Sequence, residues 1–438
     1  MKHQTTNPIA ARYETGQRLR RFETLWETAS AEKKRQVLPL VNQAVMGFFA
    51  GGPSASAKPL DAAIGVLFNG SESVRPHPWG MPLVATPSAR LLDSAAGRVT
   101  LTITQLYTIP EKAPSATEFF VSGKPGTTLY TASTSAVAQQ FKAFPQEIVF
   151  PLPNLEDDVT LFVEVDAGAD QGQNIADRLV NLALAKNLKP RLAALENSVE
   201  PSVVHLLGIL KKLAAGEPLE TDFPGLKLLL DAEAAAKNAP LWGKKTAGQF
   251  WLMLNKAPVR LLAPKAVESG KPLPLVIALH GSGGSENMFF DTYGAGKIMR
   301  LCEERGWLLL TLRNGAGLSA LPEMLAELGK LYSYDTKRVF LTGHSMGAAM
   351  AVQAAQANPK VFAAVAVLGG GGAVRNAPDT LPPFLVGAGA SDFGKPMAQS
   401  LAKALKTECK IYPDCEHLTV VQDALDDVIR FFEQPNRR

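Results

Sequence analysis

The sequence predicts an α/β domain with a mostly parallel sheet over residues 246–438, preceded by helical and small β-sandwich segments. Three observations carry this. The runs LPLVIALHG, WLLLTLRN, RVFLTG, FAAVAVLGG and PFLVGAGA are short and almost continuously apolar. Strands buried on both faces of a parallel sheet read that way, whereas half-exposed strands alternate. Helix-period segments lie between these runs, the order expected of a sheet wound with right-handed crossovers. Upstream, the apolar period switches from helical to two and back to helical.

Taken in order, residues 1–80 read as a helical segment. Leu19, Phe22, Leu25 and Trp26 recur at helical spacing. Ser30 then offers an N-cap with Glu32 in the first turn. A second apolar face follows at Leu40, Val41, Ala44, Val45, Phe48 and Phe49, which GGPSAS at 51–56 is expected to break before a shorter third helix, LDAAIGVLF. The stretch SVRPHPWGMP at 73–82 marks a boundary. Residues 81–168 change to period two: RVTLTITQLYTI and VTLFVEV alternate, with TEFFVS and EIVF as shorter strands, the pattern of a β-sandwich-like domain. Residues 169–245 return to helical spacing in NIADRLVNLALAKNL, VVHLLGILKKLAA and GLKLLLDAEAAAKN, expected to pack with the N-terminal region. From 246, FWLMLN and VRLLAP form a strand pair ahead of the continuous apolar runs.

Composition narrows the function. Across 438 residues, Lys plus Arg number 45 and Asp plus Glu 41, a formal charge of +4. With no basic block interleaved with aromatics, nucleic acid and anionic membrane surfaces are poor partners. No apolar run approaches the ~20 residues that span a bilayer. The start, MKHQTTNPIAARYE, has no apolar core and so is no signal peptide as it stands. The compartment stays open: secreted or periplasmic with a leader removed, otherwise cytoplasmic. Cys302, Cys409 and Cys415 make an odd count without CxxC spacing, against a disulfide framework or a zinc site. All three read as free or buried thiols, with a Cys409–Cys415 pair as the exception to watch.

The chemistry lies in FLTGHSMGAAM at 340–350. A buried strand runs into Gly-His-Ser-Met-Gly and then into a helix, the setting in which Gly-x-Ser-x-Gly becomes a nucleophile elbow with Ser345 at its tip. A serine nucleophile needs a base. Of the six histidines, His3 is terminal, His77 and His205 lie outside this unit, His344 adjoins the serine but is aimed elsewhere, and His280 ends a strand. His417, in IYPDCEHLTVV before the last helix, remains. The orienting acid follows serine and precedes histidine in this order of elements. Asp392 directly follows the strand PFLVGAGA and is preferred to Asp414 and Glu416, neighbours of His417 on its own loop, and to Asp379 in a proline-rich turn. Two backbone N–H groups must receive the oxyanion: Met346 at the helix start and, from the loop HGSGGSE, Ser282 first and Gly283 second. His280, Gly281 and His344 are expected on the substrate side. GASDFGKP at 389–396 imitates a phosphate loop but ends in Pro396 where a hydroxyl is required.

Together, LVIALHGSGGSE, YDTKRVFLTGHSMGAAMAVQAA and IYPDCEHLTVV resemble the α/β-hydrolase superfamily, and within it the esterase group that includes polyhydroxybutyrate depolymerases and feruloyl esterases. The resemblance covers about the last 190 residues. It implies hydrolysis of small or polymeric carboxylic esters by Ser345, His417 and Asp392, with no metal or organic cofactor. GGGGAVRNAPDTLPP, where this superfamily usually inserts a cap domain, is short, so the site has no cap of its own unless the N-terminal segments supply one. A serine peptidase of the prolyl-oligopeptidase type is the enzymatic alternative, though the β segment lacks blade repeats. A surface- or carbohydrate-binding protein with a hydrolase-like domain is the non-catalytic alternative. The acyl and alcohol groups and the oligomeric state are not readable.

Overall fold

The computed structural model describes residues 8–68, 82–107, 118–122, 144–152, 157–166 and 177–434. The boundary stretch at 73–82 and both His3 and His77 lie almost wholly outside them. Two compact units emerge, one of Met1–Glu14 with Ser71–Pro240, the other of Thr15–Gly70 with Leu241–Arg438.

Three helices come first: α1 (Pro8–Thr28), α2 (Ala31–Gly51) and α3 (Pro53–Phe68). Ser30 caps α2 by accepting the Lys33 N–H. The expected break at GGPSAS shrinks to the single residue Gly52, at φ 76°. Pro53 follows at the first helical position, which has no N–H to lose, so α3 is 16 residues long rather than a short appendage.

In the first unit, β1 (Leu83–Pro87), β3 (Arg98–Gln105) and β5 (Gln146–Pro151) form an antiparallel sheet in the order β1-β3-β5. A second sheet takes the order β2-β7-β6-β4, from β2 (Leu91–Asp93), β4 (Glu118–Ser122), β6 (Val159–Asp166) and β7 (Asp177–Ala185). Leu101, Ile103 and Phe150 of one sheet share a core with Leu161, Val163 and Leu182 of the other, which makes a small sandwich. Strand β7 corrects the helical reading of NIADRLVNLALAKNL. It lies between β2 and β6, so Val180, Leu182, Ala183 and Leu184 are all buried. A strand covered on both faces loses its alternation and imitates a buried helix in sequence. Helices α4 (Leu188–Leu195), α5 (Pro201–Ala214) and α6 (Gly225–Ala236) complete the unit.

The second unit is an α/β sheet of eight strands: β8 (Gly248–Leu254), β9 (Ala257–Ala263), β10 (Leu273–Leu279), β11 (Leu308–Leu312), β12 (Tyr334–His344), β13 (Ala364–Leu368), β14 (Phe384–Gly389) and β15 (Cys409–Tyr412). Their spatial order is β15-β14-β13-β12-β10-β11-β9-β8. β8 and β9 pair antiparallel at one edge, and β10 to β15 run parallel. Between the strands come α7 (Met288–Asp291), α8 (Lys297–Arg305), α9 (Leu321–Leu331), α10 (Met346–Ala357), α11 (Lys395–Ala404) and α12 (Val420–Glu433). β11 lies on one side of β10 and β12 on the other. The connections therefore diverge at the carboxyl ends of β10 and β12, the crevice where open α/β sheets bind ligands.

From Thr15 onward the three N-terminal helices belong to this unit. Leu19 of α1 and Val45 of α2 pack against the core that holds Phe340, Val428 and Phe432. The Trp26 indole donates to Asp423 of α12 at 3.1 Å, and Lys34 and Arg35 of α2 pair with Asp423 and Asp414. No helix among the described residues is long and apolar enough to cross a membrane. All three cysteines are free thiols.

Candidate active site

Strand β12 ends in a turn that only small residues permit. A β-carbon on Gly343 would collide with the Gly347 carbonyl, and one on Gly347 with the Leu279 carbonyl of β10. With that clearance the chain reverses directly into α10 and leaves Ser345 at φ 56°, ψ −115°. A non-glycine residue held there stores strain that the surrounding sheet must over-determine. The Ser345 N–H is fixed on the Leu368 carbonyl of β13 at 2.9 Å, so the side chain is presented above the sheet edge.

Three side chains from three strand ends converge there. The Ser345 hydroxyl lies 2.9 Å from His417 Nε2, and His417 Nδ1 lies 2.8 Å from Asp392 Oδ1. Asp392 follows β14 and is buried, with the Gly394 N–H on the same oxygen at 2.6 Å. Burial by itself would raise its carboxyl, but the His417 hydrogen bond and charge and the Gly394 N–H outweigh that and hold it below the usual carboxylate range. An ionised Asp392 accepts from Nδ1–H, which leaves Nε2 as the acceptor for the serine proton. The other acids are engaged elsewhere. Asp414 pairs with Arg35, and Glu416 takes the Leu418 and Thr419 N–H groups, both at 2.8 Å. Those bonds fix the loop that carries His417 ahead of α12.

Of the residues expected on the substrate side, His344 stands elsewhere. It is buried, and both its ring nitrogens are used within the chain: Nε2–H donates to the His417 carbonyl at 2.7 Å, and Nδ1 accepts from the Tyr293 hydroxyl at 2.6 Å. Burial, followed by the nearby His417, pushes the His344 pKa down to about 3, so the ring is neutral. Tyr293 also receives the Gly281 N–H at 3.3 Å. A continuous strut thus runs from the loop after β10 through Tyr293 and His344 to the backbone of His417. His280 is likewise buried, its Nε2 receiving the Asn314 N–H at 2.9 Å. The reason is common to both: each closes a strand at the sheet edge, where its ring is needed to satisfy backbone groups.

Ser282 and Gly283 are exposed on the loop after β10, closed by the Gly284 N–H on the Gly281 carbonyl. Met346 opens α10, and the first N–H of a helix has no partner inside it. Three aromatics complete the surroundings: Phe393 next to Asp392, and Phe48 and Phe49 at the end of α2. Tyr293 gave no sequence signal, since its segment reads as plain helix. Phe49 gave none either, since it reads as part of the apolar face of α2, whose buried stripe in the structure is Val37, Val41 and Ala44. Among the described residues no group of His, Cys, Asp and Glu could hold a metal ion.

The sheet, the elbow and the convergent serine, histidine and aspartate have the arrangement of the α/β-hydrolase fold with its serine–histidine–aspartate triad. More narrowly, residues 299–424 match the Dienelactone hydrolase family. No curated protein sequence matches the chain. Among solved structures, a feruloyl esterase module from Clostridium thermocellum is 13% identical over 45% of this chain and 91% of its own, with a TM-score of 0.37. An S-formylglutathione hydrolase from Agrobacterium tumefaciens is 18% identical over 43% of this chain and 94% of its own, at 0.36. Est1E from Butyrivibrio proteoclasticus is 14% identical over 44% and 100%, at 0.35.

Proposed function

We propose that the protein is a serine carboxylesterase acting through an acyl-enzyme on Ser345. The observation that carries this is the unbroken line of hydrogen bonds from Ser345 through His417 to Asp392, at 2.9 and 2.8 Å, on a strained elbow. Ser345 Oγ bonds to the ester carbonyl carbon while its proton moves to His417 Nε2. The carbonyl electrons collect on an oxyanion received by the Met346 N–H and the Ser282 or Gly283 N–H. As the carbon–oxygen bond breaks, the proton on Nε2 passes to the departing alkoxide. Water then attacks the acyl-enzyme with His417 as base and frees the acid. Asp392 holds the imidazole tautomer and stabilises the imidazolium throughout.

The test is turnover of a short-chain nitrophenyl ester and of a peptide anilide by the wild type and Ser345→Ala. The ester should be cleaved and the anilide spared. Ser345→Ala should lose about 10^6-fold in kcat, as losing a triad serine does elsewhere, with unchanged thermal unfolding. An alkyl fluorophosphonate should label Ser345 alone. Retained activity in the alanine variant would falsify the reading, and preferential anilide cleavage would move it to a peptidase.

A further inference from the structure

We propose that α2 reaches over the active site as a partial cap, and that Phe49, with Phe393, binds the alcohol half of the ester, selecting apolar, ring-bearing alcohols. This rests on the esterase reading above and gives that reading a substrate class.

In ester cleavage the histidine returns its proton to the departing oxygen, so the alcohol half must lie beside His417 Nε2. Phe393 has its ring centroid 4.1 Å from the His417 ring, tilted by 34°. Phe49 lies 6.1 Å from the same imidazole and meets Phe393 edge-to-face at 5.4 Å and 82°. Both therefore flank the imidazole that passes its proton to the departing alcohol. Phe48 stands at 86° to Phe49 and reaches the other side, where its ring tip occupies the place a β-carbon on Gly283 would take. The end of α2 thus touches both the base and the loop that carries the oxyanion donors.

Packing does not account for these rings. Phe49 is 48% exposed and Phe393 45%, although α2 has a buried stripe available at Val37, Val41 and Ala44. Met46, one turn earlier on α2, is 57% exposed and extends the apolar surface. Water-facing aromatics held edge-to-face beside a catalytic base leave π-faces open for another ring. The helix that presents Phe49 is tied at its other end to α12 by Lys34 on Asp423. A cap inserted after β13 is thus replaced by one supplied from the start of the chain.

The experiment uses the full chain and two acetate esters whose alcohols have similar acidity, ethyl acetate and 2-phenylethyl acetate. Wild type should favour 2-phenylethyl acetate through KM. In Phe49→Ala the ratio of kcat/KM for 2-phenylethyl over ethyl acetate should fall about tenfold, the loss of one aromatic pair. Phe49→Tyr should restore most of it. Methyl benzoate against methyl acetate, which varies the acyl half, should keep its ratio. In parallel, 2-phenylethanol binding is measured by calorimetry on wild type and Phe49→Ala, with a several-fold weaker Kd expected for the variant. If esters are cleaved but Phe49→Ala leaves the alcohol ratio unchanged, or shifts the acyl ratio instead, the inference is overturned. If no ester is cleaved while 2-phenylethanol binding still depends on Phe49, the esterase reading falls and the aromatic site stands.

Discussion

At the scale of single residues, the site separates acids that resemble one another in sequence. Asp392, Asp414 and Glu416 all lie within reach of His417 along the chain, and Asp414 follows a strand as closely as Asp392 does, yet only Asp392 meets Nδ1. Asp392→Asn should lower kcat about 10^4-fold by favouring the wrong imidazole tautomer. Asp414→Asn breaks only a pair whose Arg35 side chain is 59% exposed, a kind of contact of small energy. Its kcat should stay within a few-fold of wild type, and equal losses at the two positions would overturn the assignment. That Ser345, His417 and Asp392 come together was legible because a serine–histidine–acid arrangement demands particular residue types in a set chain order. The buried duties of His344 and His280 were not, because a histidine that braces a backbone and one that meets a ligand have the same letter. Only the hydrogen bonds to Tyr293, His417 and Asn314 distinguish them.

At the scale of elements, parallel strands were readable because burial on both faces leaves continuous apolar runs. β7 was misread for the same reason, since nothing in LVNLALA says whether its neighbours are strands. The seating of α1 was hidden too, because it depends on one polar residue inside an apolar face. Glu23 is fully buried; one oxygen accepts the Gly294 N–H at 3.2 Å, and the other has no partner among the described residues. Burial first, and then the charge of Glu416, hold the Glu23 carboxyl well above its ordinary range. The unfolded chain gives up this proton at ordinary carboxylate pH, while the folded chain keeps it. Stability is therefore lost as pH rises from the unfolded pKa through the raised folded one. Glu23→Gln retains an acceptor for Gly294 and removes the charge. Its melting temperature should exceed wild type by several degrees at pH 8 and by much less at pH 5, at roughly 2–4 °C per kcal/mol. Equal gains at the two pH values would mean the carboxylate charge is not what burial penalises.

At the scale of the whole molecule, the compact units do not follow the order of the chain. Helices over Thr15–Gly70 close onto Leu241–Arg438, and the stretch between them forms its own unit. A composition-based division cannot see this, because the contact from Trp26 to Asp423 spans 397 positions and leaves no local pattern. The consequence concerns the ribosome. Trp26 is made 397 positions before its partner Asp423, and at ~5–20 residues per second it waits roughly 20–80 s for it. During that interval Phe22, Leu25 and Trp26, buried in the finished protein, have no completed core to enter. The strands of the sandwich all lie between Leu83 and Ala185 and can fold meanwhile. Chains stalled before residue 420 should therefore bind a hydrophobic-peptide chaperone through residues 15–70 and release it once α12 has left the exit tunnel. A Trp26→Ser chain should remain bound for less time at the stall and fail to reach full stability after release. Nascent chains that already protect residues 15–70 from protease before α12 is made would show that the first helices find another resting place.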